Sequence, residues 1–140
     1  MALGGVACSG YGATIAFATS AFVADVYSLS HNGVARKSVD KTHMGSANSR
    51  MDFCPAKLVD SGTYELELAF NPNGSAPPID GATEVITLSY PSATGPTTVA
   101  KDVFSGFVTG FSEKVPLDDR MTMTVTLKIT GLIVRTAGVA

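Results

Sequence analysis

The sequence predicts an all-β fold of two packed sheets, in sandwich or barrel form, with one short helix and one long loop. Three observations carry that prediction. From Met121 to Thr130 every odd position is apolar (Met121, Met123, Val125, Leu127, Ile129) and every even one is polar (Thr122, Thr124, Thr126, Lys128, Thr130). Such strict alternation describes a strand with one dry and one wet face, whereas a helix would scatter the apolar side chains around its circumference. Turn signals recur at short intervals along the chain, and helical periodicity is almost absent.

In chain order, residues 1–12 are rich in glycine and read as a flexible N-terminal arm. Residues 13–134 read as one β domain and 135–140 as a C-terminal tail. Within the domain, Ala13–Thr19 and Phe22–Ser30 have strand composition. The Asn32-Gly33 dipeptide after them predicts a tight hairpin, because both residues tolerate positive φ. The return strand, Val34–Lys41, carries four charges, which suits an exposed strand protected at its edge. Thr42–Phe53 has no periodicity and reads as a long loop. In Cys54–Ser61, Pro55 suits a first helical turn and Gly62 a stop, so a helix of one or two turns is expected there. Tyr64–Phe70 alternates again, with Glu65 and Glu67 on one side. A connection over Asn71–Ala82 leads to the strand Glu84–Tyr90, and Ser92–Ala100 reads as a flexible tip. Phe104–Ser112 and the alternating strand form a hairpin, turned by Val115-Pro116-Leu117-Asp118-Asp119, where Pro presets φ and Asp hydrogen-bonds its own backbone.

Composition excludes several functions. Apolar residues make up 45% of the 140 and charged ones 16%, well below the usual quarter or so. A chain this poor in charge has a large core or much of its surface covered. The net charge of −2 offers no basic footprint for gripping phosphates. Cys8 and Cys54 have neither metal-site nor redox spacing and read as free thiols of a reducing compartment. The first 24 residues lack Lys and Arg and are interrupted by polar residues, unlike a secretory signal. No run of about 18 apolar residues suggests a membrane span. Synthesis and retention in the cytoplasm are expected.

The residues offer little for catalysis. His31 and His43 belong to no spaced ligand set. Asp118 and Asp119 lack the rest of a calcium loop. Glu65 and Glu67 have the spacing of paired glycosidase carboxylates, but the face they share is polar and lacks the apolar pocket that raises one acid's pKa. No phosphate loop opens a helix, and no serine sits in a nucleophile elbow. A non-enzyme without metal or cofactor is expected.

Several phrases occur together in order: Val39-Asp40-Lys41-Thr42-His43-Met44, Phe53-Cys54-Pro55, Asp60-Ser61-Gly62, the GATEVITLSY strand, Phe104-Ser105-Gly106-Phe107-Val108 with Ser112, Val115-Pro116-Leu117-Asp118-Asp119, and TVTLKITG ending at Gly131. From about Asp40 to Gly131 the chain resembles the tail tube (major tail) proteins of long-tailed bacteriophages and related phage-derived particles. The resemblance implies a structural subunit, made in the host bacterial cytoplasm and resident in the virion tail. Six copies would form a ring, rings would stack into a tube, and DNA would pass through it during ejection. Implied partners are other copies of the chain, other tail proteins (tape measure, tail terminator, distal tail protein) and DNA held transiently without specific binding; no membrane is involved. With about four strands per subunit, about 24 strands at ~4.8 Å spacing and ~40° tilt close a barrel on the order of 48 Å across. Side chains leave a bore of roughly 35–40 Å, enough for a duplex.

On this reading the loop residues Asp40, Thr42, His43, Met44, Ser46, Arg50 and Phe53 contact a neighbouring subunit or ring. The even-numbered face of Thr122, Thr124, Thr126 and Lys128, with Glu65 and Glu67, lines the lumen. Hydroxyls would wet that wall, the glutamates would repel phosphates, and Lys128 would need an acidic neighbour. Two other readings compete. A β-sandwich binding or decoration module usually displays aromatic platforms, and this chain has no Trp and four Tyr. A small β-barrel hydrolase would need the catalytic pair that is missing.

Overall fold

A computed structural model of the chain describes residues 13–22, 24–90 and 100–137. These build eight strands: β1 (Thr14–Phe17), β2 (Val26–Asn32), β3 (Ala35–Asp40), β4 (Phe53–Asp60), β5 (Thr63–Ala69), β6 (Glu84–Ser89), β7 (Lys101–Lys114) and β8 (Thr122–Thr136). Six of them form an antiparallel sheet in the order β1-β6-β7-β8-β5-β2, and β3 and β4 form a second, two-stranded sheet. The expected arm over 1–12, with Cys8, and nearly all of the expected tip over 92–100 lie outside the described residues.

The six-stranded sheet curls into a half-barrel around its own apolar face. Alternation dictates which side chains enter. Tyr64, Leu66 and Leu68 of β5, Ile86 and Leu88 of β6, Phe104 and Val108 of β7, and Met123, Val125, Leu127 and Ile129 of β8 are all buried. Phe17 closes one edge with Phe22, their rings edge to face at 5.5 Å. The predicted β7–β8 hairpin is present; β7 runs longer than predicted at both ends and β8 at its C-terminal end. Arg135 and Thr136, expected in a tail, continue β8 and pair with β7.

Two expectations fail, for related reasons. Asn32-Gly33 does not turn β3 back onto β2. Instead β2 pairs with β5 (Asn32 opposite Thr63) and β3 with β4 (Ala35 opposite Asp60). Residues 26–40 and 53–69 are thus the two legs of one long ribbon, bent where Gly33 (φ +80°) faces Gly62 (φ +87°). The Asn-Gly signal marks a real positive-φ position, spent on a bend between sheets. The predicted helix over Cys54–Ser61 is strand β4. Its first half alternates between exposed Phe53 and Pro55 and half-buried Cys54 and Ala56, a period of two. Pro55 is tolerated because a two-stranded ribbon leaves outward positions with no ladder bond to lose. Among the described residues the only helical turn is a 3₁₀ turn, Ala47–Ser49, inside the long loop.

Candidate functional site

The face of the six-stranded sheet turned away from the core is assembled by register. Glu65 lies opposite Thr126, Glu67 opposite Thr124, Thr63 opposite Lys128 and Ala69 opposite Thr122. Since directly opposed residues of an antiparallel pair share a face, the six residues expected to line a lumen (Thr122, Thr124, Thr126, Lys128, Glu65, Glu67) lie together on one surface. Their odd-numbered companions on β8 from Met123 to Ile129 are buried, as the alternation requires. The surface extends beyond β5 and β8 through Ser28 and Ser30 of β2, which oppose Glu67 and Glu65. On the other side, β7 contributes Ser105 opposite Thr130, Phe107 opposite Lys128, Ser112 opposite Thr124 and, at the margin, Lys114 opposite Thr122. Sequence reading missed these serines because each strand alone is too short or too irregular for its parity to show which face it joins. The acidic neighbour that Lys128 requires is Asp60, at the end of β4, with Nζ 2.8 Å from Oδ1. Two glutamates therefore stand in a field of hydroxyls, and the one lysine among the six is neutralised.

Of the expected contact residues, Asp40 and Phe53 pair with each other at the end of β3–β4, and Thr42, His43, Met44, Ser46 and Arg50 form the loop between them. All seven cluster at this tip, away from the hydroxyl-rich face. The tip organises itself. The Thr42 hydroxyl accepts the Asp52 amide at 2.7 Å and donates to the Asp52 carbonyl at 3.2 Å. The Lys41 amide donates to the same carbonyl. The Asp40 carboxylate accepts the Thr42 amide at 2.9 Å, and its side-chain and backbone bonds with Thr42 hold it below the usual carboxylate range. The His43 amide donates to Ser46 Oγ, and His43 Nδ1 accepts from Gly45. With the polar groups occupied internally, the tip presents Met44, which is fully exposed, and the partly exposed Met51 and Phe53.

A third cluster is buried. Asp102 of β7 is fully enclosed, yet accepts from the Tyr90 hydroxyl at 2.7 Å and the Tyr64 hydroxyl at 3.4 Å. Arg135 clamps it bidentately, Nε to Oδ1 at 2.8 Å and Nη2 to Oδ2 at 3.1 Å. Burial alone would raise this carboxyl, but the bonds from Arg135 and Tyr90 outweigh it and the net shift is downward. Burial pushes the Tyr64 and Tyr90 hydroxyls up. Tyr64 is also stacked between His31 and Phe104, at 4.5 and 5.0 Å. His31, expected beside an exposed turn, is half-buried there, its Nε2 2.7 Å from the Ser61 carbonyl. The cluster was detectable in principle, since Asp102 has the same parity as Phe104 and Val108, and a carboxylate on a core parity demands a cation within reach, here the largely exposed Arg135. Every oxygen of Asp102 is occupied, so the arrangement cross-links strands and leaves no group free for a substrate. Among the described residues no group of three or more His, Cys, Asp or Glu is placed to hold a metal, and no helix is long and apolar enough to cross a membrane.

Comparison with known proteins agrees with this architecture. No curated protein is matched by the sequence. Among solved structures, the chain superimposes on the sheath/tube terminator of an extracellular contractile injection system (PVC) in its extended state. The TM-score is 0.71 at 13% identity, over 94% of this chain and 98% of that one. The likeness at that identity is one of fold. The family model described as lambda phage tail tube protein matches residues 8–134. An all-β half-barrel with a projecting ribbon and that match over nearly the whole sequence lead to one conclusion: the chain belongs to the lambda phage tail tube protein family and is a structural protein of a phage-type tail.

Proposed function

We propose that six copies of this chain close into a ring, that rings stack into a tail tube, and that DNA travels along the hydroxyl-rich face. The observation that carries this reading is the composition of that face. Thr122, Thr124, Thr126, Thr63, Ser28, Ser30, Ser105 and Ser112 surround Glu65 and Glu67, Lys128 is tied to Asp60, and the face's other members include Phe107 opposite Lys128 and a single Lys114 at the margin opposite Thr122. A wall that conducts DNA must not bind it. A dense array of lysines would displace condensed counterions and hold phosphates, whereas neutral hydroxyls keep a hydrated surface and carboxylates repel the backbone. Among the described residues the sheet also ends in two strands paired on one side only, β1 and β2. Open edges are a liability in a free subunit and a joint in an assembly, because pairing edge to edge around a ring removes every edge. The tip around Asp40, Thr42, His43, Met44, Ser46, Arg50 and Phe53 reaches a neighbouring subunit or ring with its exposed Met44. In the particle the tube meets other tail proteins at its two ends.

A second reading, a terminator that caps a tube as a single ring, is favoured by the likeness to the injection-system terminator. Negative-stain imaging of the purified protein over a range of concentrations separates the two. Tubes of stacked rings support the tube subunit, single rings support the terminator, and isolated subunits at every concentration overturn both.

A further inference from the structure

Two exposed features of opposite character sit beyond opposite ends of strand β5. At one end, Arg36 pairs with Val59 and Ser38 with Pro55, so Ala56, Lys57 and Leu58 bulge opposite Lys37 alone. Arg36 Nε donates to the Ala56 carbonyl at 2.6 Å and fixes the bulge. Beside it opens a groove of about 560 Å³ lined chiefly by Lys37, Ala56, Lys57, Leu58, Val59 and Asp60. Leu58 is 86% exposed there. Asp60 is engaged by Lys128, whereas Lys37 and Lys57 have no acidic partner among the described residues. The groove is apolar with a positive margin.

At the other end, the loop joining β7 to β8 projects Leu117, 97% exposed, with Val115 beside it. Asp118 and Asp119 follow directly, and neither meets a cation among the described residues. The nearby Arg120 is occupied over the Tyr27 ring, 3.8 Å from its centre. The loop is an apolar knob with a negative flank. Strand β5 separates the two features: its first residue, Thr63, opposes Lys128 near the groove, and its last, Ala69, opposes Thr122 beside the knob. That run is about 20 Å long, so one molecule cannot seat its own knob in its own groove. A knob and groove at opposite ends of one chain form a heterologous contact, which propagates head to tail.

We propose that the 115–119 knob of one copy seats in the β3–β4 groove of a second copy in the next ring, with Leu117 against Leu58 and Val59 and with Asp118 and Asp119 facing Lys37 and Lys57. The contact rests on the tube reading for its setting in stacked rings, and it assigns the axial joint to charge-complementary surfaces. Replacing Asp118→Lys and Asp119→Lys together puts like charges across the joint. It is expected to leave rings intact and to raise the concentration at which tubes appear by at least about tenfold. Adding Lys37→Glu and Lys57→Glu in the same chain is expected to restore tubes. Thermal melts of each variant establish that it is folded. A second measurement needs no tube: with Cys8→Ser and Cys54→Ser in place, Leu117→Cys and Leu58→Cys are introduced and the concentrated protein is oxidised. A ladder of covalent dimers and higher oligomers supports the contact. Folded protein that gives no ladder, or a double-lysine variant that builds tubes at the wild-type concentration, overturns it. A wild-type chain that forms no ring removes the tube reading instead, and the ladder still decides the head-to-tail contact.

Discussion

Lys128 of β8 reaches Asp60 at the end of β4, Nζ to Oδ1 at 2.8 Å, and the same oxygen accepts the Gly62 amide at 2.9 Å. One carboxylate thus neutralises the lysine of the hydroxyl-rich face and fixes the bend of the ribbon. The Lys128 bond and then the Gly62 amide hold it below the usual carboxylate range. Asp60→Asn keeps an acceptor for Gly62 and releases Lys128. An exposed pair contributes little to stability, so the melting temperature should stay nearly unchanged. Particles carrying the variant should eject DNA more slowly, with the delay shrinking as salt rises. Ejection kinetics at two ionic strengths check this.

The glutamates make the complementary case. Glu65→Lys with Glu67→Lys should leave assembly intact, because both side chains stand clear of the core, and should slow ejection more than Asp60→Asn does. Unchanged ejection would count against placing this face in the lumen.

The Asp102 cluster predicts a pH signature. Its folded carboxyl lies below the ordinary value of about 4. Its contribution to stability is therefore fully present above that value and is lost as pH falls through the lower folded value. Tyr64 is shifted the other way, so its contribution is present below about 10 and is lost as pH rises further. Asp102→Ala, which leaves two tyrosine hydroxyls without their acceptor and frees the largely exposed Arg135, should cost about 1–3 kcal/mol near neutrality. Asp102→Asn should cost less and flatten the acid limb of stability against pH. Tyr64→Phe should flatten the alkaline limb. Urea titrations across the pH range read all three.

Two glycines of similar φ should respond unequally. A Cβ on Gly62 would stand 2.1 Å from the Asn32 carbonyl oxygen, whereas one on Gly33 meets nothing closer than 3.7 Å. Gly33→Ala should cost only the left-handed backbone term, about 1–2 kcal/mol. Gly62→Ala adds a backbone collision and should cost clearly more, about 3 kcal/mol or above. Denaturation midpoints of the two variants measure the difference.

The parts of this fold that could be read from sequence are those where one strand carries its own proof. Alternation from Met123 to Ile129 identifies both the core side and the wet side of β8, and Glu65 and Glu67 do the same for β5. Met121, expected on the core side, precedes the strand and is exposed. Pairing partners could not be read this way. Nothing in Asn32-Gly33 distinguishes a hairpin from a bend in a longer ribbon, since both need the same positive φ. The difference lies in Gly62, remote in sequence, whose missing side chain lets the second leg pass close by. Cys54–Ser61 misled because Pro at a first helical turn and Pro on a two-stranded ribbon look alike until the partner strand is known. Asp102 on a core parity calls for a cation, but its partner Arg135 lies at the other end of the β7–β8 hairpin in sequence, so the pairing itself is not announced by either residue alone.

The ribbon has a mechanical consequence. Its legs pass through the bend at Gly33 and Gly62 with hydrogen-bonded pairs close on either side, Asn32 with Thr63 before it and Ala35 with Asp60 beyond it. A tug on Met44 at the far end is therefore handed along backbone ladders, interrupted only by the bulge at Ala56–Leu58, to the strand bearing Glu65. Whatever grasps the tip holds a lever whose short arm is the hydroxyl-rich face.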